Sequence, residues 1–284
     1  MVTVRQLLAE TAKALESAGC DSPAFDARCL LEDIGGVGRG RIDQSGEHPV
    51  PCERERAVRV AAKKRAAGYP LQYLLGEWDF LSLTLHVGEG VLIPRPETEL
   101  LCETAAHWMN GRRLEAPRVL DLCAGSGCVG LGIASLAPSA RVTAVEWSEE
   151  AFPYLLDNLA RYPQYDIEAV KADVLRDAGR FSQPVDLIVS NPPYIPSGDI
   201  AGLMREVGYE PRMALDGGDG LRFYRSLARD WRPKLLPGGV LMAEIGMGQS
   251  ETVAALWREA RLDHIKILPD AAGIERVVVG ENLR

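Results

Sequence analysis

The spacing of apolar positions changes character twice along the chain. Over residues 1 to 75 it follows the helical period of three and four. The stretch VRQLLAETAKALESAG puts Val4, Leu8, Ala12 and Leu15 on one stripe, and Gly19 can end that helix in a left-handed conformation. DSPAFDARCLLEDIGG offers Ser22 as an N-cap, Pro23 at the first helical position and Gly35 near the end. CERERAVRVAAKKRAAGYP predicts a third helix, closed by Gly68 and Pro70. Between residues 76 and 100 the period shortens. Leu81, Leu83 and Leu85 alternate with polar neighbours, which predicts a hairpin linker.

From Arg118 onward, short apolar runs alternate with helical stretches. RVLDLC, RVTAVEW, IEAVKAD, VDLIVSN, GGVLMAEI, HIKILPD and IERVVVG read as strands. GCVGLGIASLA, SEEAFPYLLDNLARY, GLRFYRSLARDWRPKLL and QSETVAALWREARL read as helices. The alternation predicts an α/β fold with a parallel, doubly wound sheet. The expected division is a helical domain over 1–75, a linker over 76–100 and an α/β domain over 101–284.

Open sheets of this kind bind ligands at the carboxyl ends of their strands, and the residues that carry chemistry fall there. VLDLCAGSGCVG follows the first strand and opens a helix, so Gly125-x-Gly127-x-x-Gly130 matches a dinucleotide-type loop. Small residues there let the backbone approach a ligand, and the helix N-terminus offers free N–H groups. Glu146 ends the next strand, where a carboxylate can accept both hydroxyls of a ribose. Asp173 ends the third strand and can accept from an adenine amino group. Asp121 stands just before the loop. A carboxylate so placed repels a pyrophosphate but suits a sulfonium and an amino group. The three acids therefore favour S-adenosylmethionine over NAD.

Two strands later comes SNPPYIP. Consecutive prolines fix their own φ, donate no hydrogen bond and push Asn191 out of the helical region. Asn191, Pro192, Pro193 and Tyr194 thus form a stiff turn at a strand end. Methylating a carboxamide nitrogen requires acceptors for its two N–H groups, because its lone pair is delocalised into the carbonyl. Asn191 can supply a side-chain oxygen and Pro192 its carbonyl, while Tyr194 can pack on the flat substrate. An N-methylated amide cation loses its proton readily, so positioning and electrostatics carry such a reaction.

The loop DLCAGSG and the NPPY turn together resemble the class I S-adenosylmethionine-dependent N-methyltransferases. PLQYLLGEWDF, LIPRPETELL, EPRMALDGGDGLRFYR, LPGGVLMAEIGMGQ and GIERVV narrow the resemblance to the HemK-type release-factor glutamine methyltransferases, over nearly the whole chain. The resemblance implies a seven-stranded, Rossmann-like methyltransferase domain behind a small helical domain. It implies transfer of a methyl group to N5 of the glutamine in the Gly-Gly-Gln motif of peptide chain release factors. Carried over by motif, Cys123, Ala124, Gly125, Ser126, Gly127, Glu146, Asp173 and Val174 line the cofactor site. Asn191, Pro192, Pro193 and Tyr194 hold the target glutamine. Cys123 replaces the first glycine of the general loop. Arg95, Pro96, Glu97 and Thr98 match a family signature with no evident chemical role.

Composition changes this picture little. A chain of 284 residues fits one large and one small domain. Its net charge of -8 disfavours broad phosphate binding, which argues against a nucleic-acid adenine methyltransferase. The third helix is the basic exception, with Arg54, Arg56, Arg59, Lys63, Lys64 and Arg65, either a solvated face or part of a docking surface. PRPETE favours a release factor over a ribosomal protein as substrate. A dehydrogenase reading offers no role for NPPY, and the intact Asn191 argues against a non-catalytic regulator. The cysteines lack CxxC spacing and the four histidines are scattered, so a reduced, cytoplasmic setting without a metal site is expected. No apolar run reaches the length of about 18 residues needed to span a membrane. No exposed apolar stripe stands out, and a monomer is expected.

Overall fold

The computed structural model describes residues 1–283. The chain forms two compact units, one of Met1–Glu77 with Met204–Tyr209 and one of Trp78–Leu203 with Glu210–Arg284.

The first unit holds α1 (Val4–Ser17), α2 (Pro23–Asp33), α3 (Cys52–Ala66) and the short α4 (Leu71–Leu75). Helix α1 starts at a capping box, in which Thr3 and Gln6 satisfy each other's backbone N–H groups. Gly19 follows it at φ +79°. Its buried stripe is Val4, Leu7, Thr11 and Leu15. The expected Leu8 and Ala12 are only half-buried, because the contact runs one step back along the helix surface. Ser22 sits at the N-cap of α2 but makes no side-chain cap bond.

Helix α3 is not uniformly a solvated basic face. Arg65 turns inward, 5% exposed, with Nε 2.7 Å from Asp26 Oδ2 and Nη1 2.5 Å from Glu206 Oε1. The planar fork of arginine serves both acids at once. Arg65→Lys is therefore expected to lower the stability of α2 and α3 by about 2 kcal/mol, the size of one charged hydrogen bond. Amide hydrogen exchange of the full chain checks this, and unchanged protection would exclude it.

The second unit begins with a hairpin, β1 (Glu77–Phe80) and β2 (Leu83–His86). Leu81 occupies its turn at φ +52°, and Leu83 and Leu85 are buried. The remaining elements are α5 (Pro96–Gly111), β3 (Arg118–Leu122), α6 (Cys128–Leu136), β4 (Arg141–Glu146), α7 (Phe152–Arg161), β5 (Asp166–Lys171) and β6 (Val185–Ser190). Then follow α8 (Arg212–Leu215), α9 (Arg222–Ser226), β7 (Leu235–Glu244), α10 (Ser250–Glu259), β8 (Asp263–Pro269) and β9 (Glu275–Asn282).

The seven strands β3–β9 form one sheet in the order β5-β4-β3-β6-β7-β9-β8, parallel except where β9 runs against both neighbours. Central strands such as VLDL and DLIVS are almost continuously apolar because helices cover both faces. One core packs α5 and α6 against Val119, Leu187 and Met242. The other packs Tyr224, Trp231 and Trp257 against Leu120, Ile188 and Leu241. The sheet edges β5 and β8 are half-exposed.

The predicted helix over GLRFYRSLARDWRPKLL is broken into pieces. After α9 the chain widens into a π turn at Leu227–Trp231 and closes as a 3-10 turn at Arg232–Lys234. Pro233, without an N–H, cannot continue an α-helix. The π turn seats Trp231 in the core, where its indole N–H donates to the Val174 carbonyl at 2.8 Å.

Candidate active site

Connections run in one direction from β3 to β4 and β5, and in the other to β6 and β7, so β3 and β6 flank the switch point of the sheet. The glycine loop leaves β3 there and NPPY leaves β6. Ser190 ties the two ends together, its hydroxyl donating to the Leu122 carbonyl at 2.7 Å. A cavity of about 560 Å³ opens between them, large enough for a nucleoside-sized ligand.

Three consecutive odd positions of the loop are left-handed: Cys123 at φ +65°, Gly125 at +57° and Gly127 at +83°. Cys123 holds this conformation despite its Cβ, at a cost of roughly 1–2 kcal/mol. The resulting turn leaves Cys123, Ala124, Gly125 and Ser126 on the cavity wall. Burial pushes the Cys123 thiol far up, which disfavours the thiolate form. Gly127 lies behind the wall, where an added Cβ would stand 2.7 Å from Leu155.

Glu146 braces the loop from the end of β4. Its Oε2 accepts from Gly125 N–H at 2.7 Å, and its Oε1 from the N–H groups of Trp147 and Ser148 at 2.7 and 2.6 Å. A carboxylate has about four acceptor sites. With Oε1 doubly engaged, Oε2 is the oxygen left for a ribose hydroxyl, where the sequence suggested both. Asp173 also lines the cavity, with Oδ1 held by Leu175 N–H at 2.8 Å and Oδ2 near the exposed Arg176. Beside it, Val174 is held by Trp231 and by the Ser226 hydroxyl.

Asp121 departs from expectation. It is fully buried beneath the loop and is absent from the cavity wall. Its Oδ2 accepts from Gly130 N–H at 2.9 Å, while Oδ1 has no hydrogen-bond partner among the described residues. Burial raises its carboxyl to about 7, against the pull of that N–H, and the Glu146 charge adds to the rise. Its place is to fasten α6 to β3 rather than to face a ligand.

The NPPY turn divides in the same way. Asn191 and Pro193 line the cavity, whereas Pro192 and Tyr194 do not. Tyr194 corrects the sequence reading, which set its ring against the substrate. Its phenol points to Glu244 Oε1 at 3.4 Å, and its carbonyl accepts from Gln249 Nε2 at 2.9 Å. Burial drives that phenol well above the ordinary tyrosine range. Asn191 Nδ2 donates to Thr98 Oγ1 at 3.1 Å, which leaves Oδ1 unengaged by this contact.

Several supports gave no signal in sequence because their partners are distant. Asn158 on α7, wholly buried, donates to the carbonyls of Ser126 and His86 at 2.9 and 3.0 Å, linking the loop to the hairpin. The segment 195–197 pairs with 215–218 through Ile195 N–H to Leu215 O, Gly217 N–H to Ile195 O and Ser197 N–H to Gly218 O, at 3.0, 2.8 and 2.8 Å.

S-adenosylmethionine fits these residues. The carboxylates of Glu146 and Asp173 both line the cavity as acceptors for hydroxyl and amino groups, and Val174 and Phe223 add apolar surface. At Gly125 an added Cβ would meet nothing within 4 Å among the described residues, so the backbone there is open to a ligand.

A family profile described as PrmC N-terminal domain matches residues 6–76, and one described as Conserved hypothetical protein 95 matches residues 74–217. Over 259 residues the chain is 40% identical to the release factor glutamine methyltransferase of Bordetella pertussis, covering 91% of this chain and 94% of that one. Over 276 residues it is 38% identical to the release factor glutamine methyltransferase of Deinococcus radiodurans, covering 97% of each. A solved structure, the T. Thermophilus 16S rRNA N2 G1207 methyltransferase (RsmC) in complex with AdoMet and Guanosine, is similar at a TM-score of 0.53 and 22% identity. It covers 72% of this chain and 49% of that one, a likeness of fold alone.

Proposed function

We propose, for a chain that belongs to the release factor glutamine methyltransferase family, that it methylates the side-chain amide nitrogen of a glutamine in a peptide chain release factor. The target on this reading is the glutamine of the Gly-Gly-Gln motif, and the products are N5-methylglutamine and S-adenosylhomocysteine. The observation that carries it is Asn191 on the wall of a cavity shared with the glycine loop, Glu146 and Asp173.

S-adenosylmethionine, when bound, supplies the electrophilic methyl group. Glu146 Oε2 would take a ribose hydroxyl, Asp173 the adenine amino group and Val174 a face of the base. Asn191 Oδ1 accepts one N–H of the substrate amide, which orients the nitrogen and raises its electron density. The Pro192 carbonyl, next in the chain and outside the cavity lining, is proposed as the second acceptor. Tyr194 and Pro193 keep the turn from swinging. Residues 1–75 are proposed to dock the release factor, with 76–100 as linker, in a cytoplasmic monomer that needs no direct contact with nucleic acid.

Labelled S-adenosylmethionine, incubated with the enzyme and a purified release factor, is expected to label the factor. Replacing the motif's glutamine should abolish that labelling. Label that persists, or that falls on a ribosomal protein or on RNA instead, overturns the reading.

A further inference from the structure

A buried hydrogen-bonded chain ends on Asn191, and the reaction above makes no use of its far end. Asn191 Nδ2 donates to Thr98 Oγ1 at 3.1 Å, and the Thr98 hydroxyl donates to Glu244 Oε2 at 2.6 Å. Thr98 is 1% exposed and Glu244 2%. Thr98 comes from the first turn of α5, and Glu244 from the end of β7, the strand beside β6.

A carboxamide has two ends of similar size and opposite hydrogen-bonding character. To accept from a substrate amide, Asn191 must show its oxygen to the cavity. Turned over, it would set N–H donors against N–H donors. The far end of the chain decides between the two. An ionised carboxylate only accepts, so the single Thr98 proton is committed to Glu244. Thr98 then presents a lone pair to Asn191, which must answer with its NH2 group and leave Oδ1 free.

We infer that Thr98 and Glu244 are positioning residues, which hold the Asn191 carboxamide with its oxygen toward the substrate amide. The inference rests on the methyl-transfer reading above. It gives Thr98 of the Arg95-Pro96-Glu97-Thr98 signature a role. Arg95, from the same segment, is paired with Glu210, whose Oε2 accepts from Ile93 N–H at 3.1 Å and steadies the approach to α5.

The orientation depends on the charge of Glu244. Once protonated, Glu244 can donate to Thr98, freeing the Thr98 proton for Asn191 and removing the bias. Burial raises the Glu244 carboxyl to about 7, while the Thr98 hydrogen bond and the Arg276 charge hold it down and Glu97 pushes it further up. The groups around it are Glu97 and Cys102 on α5, Cys128 on α6, Tyr194, Tyr224 on α9 and Arg276 on β9. Burial pushes both thiols and both phenols up, so none of these ionises near neutrality. Asp121, the other carboxyl raised to about 7, lies under the glycine loop.

The test uses Thr98→Val, Thr98→Ser and Glu244→Gln in the full chain. Thr98→Val is expected to lower kcat roughly tenfold or more, with the KM for release factor and the calorimetric Kd for S-adenosylmethionine little changed. Thr98→Ser should restore most of the loss. Wild-type kcat should fall as pH drops through about 7. Glu244→Gln should flatten that limb, which an origin in Asp121 would leave in place. NMR of the Asn191 side-chain NH2 in the 15N-labelled enzyme, without substrate, should give one protected pair that Thr98→Val exposes to exchange. That readout tests the orientation even if another protein proves to be the substrate. Wild-type kcat in Thr98→Val, no rescue by serine, an acid limb surviving Glu244→Gln, or an unmoved NH2 pair would each overturn the inference.

Discussion

Asn191→Ala is expected to cut turnover roughly 10²- to 10³-fold, the usual loss when one preorganised polar group at a reacting centre is removed. Cofactor affinity should be little changed, because Glu146, Asp173 and the backbone of the loop are untouched. The loss follows from the nitrogen's electronic state. An amide nitrogen is planar and shares its lone pair with the carbonyl. Accepting one of its N–H groups pushes density back toward nitrogen and fixes the direction from which it meets the methyl carbon. Asn191→Asp is the sharper control. A carboxylate accepts more strongly than an amide, but it would face the Thr98 hydroxyl with no N–H to give. It should recover only part of the activity. Single-turnover rates together with calorimetry on S-adenosylmethionine check both variants. Near-wild-type turnover in Asn191→Ala would remove Asn191 from the mechanism.

How much of this site could be read from the sequence follows from the range of the interactions. The glycine loop, Glu146 and Asn191 were legible because each lies at the end of a strand, and strands in a parallel sheet declare themselves as short apolar runs between helices. The supports were not. Thr98 and Glu244 are 146 residues apart in the chain, and Asn158 meets Ser126 across 32. A buried Thr or Asn in a helix has no periodicity that separates it from a surface one. Tyr194 and Asp121 failed for a related reason. Sequence placed them at the right strand ends but could not show which way they turn, and both turn into the protein. The stripe of α1 slipped from Leu8 and Ala12 to Leu7 and Thr11 because several rows of a helix are apolar enough to qualify. The break after α9 was signalled by Pro233, but the π turn before it depends on seating Trp231, a tertiary matter.

The second large effect is expected from a residue with no chemistry of its own. Gly217 passes so close to the NPPY turn that an added Cβ would stand 2.7 Å from the Pro193 carbonyl oxygen and 2.9 and 3.0 Å from Tyr194 Cα and C. All three are backbone atoms, so no side chain can swing aside. Nor can the two segments simply part, because hydrogen bonds join Ile195 to Leu215 and Gly217, and Ser197 to Gly218. Gln249 Nε2 also holds the Tyr194 carbonyl, at 2.9 Å. In Gly217→Ala the turn itself must move, and Asn191 lies two residues before the point of contact. A displacement on the order of 1 Å at a positioning group costs roughly 10² in rate, so Gly217→Ala should lose about that much turnover. The protein should stay folded, with cofactor binding near wild type, since the atoms an added Cβ would meet belong to Pro193 and Tyr194. Gly198→Ala supplies the comparison, because an added Cβ there meets nothing within 4 Å among the described residues. Equal turnover in the two variants would mean that the double proline alone aims Asn191 and that the 215–218 segment is not part of its mount.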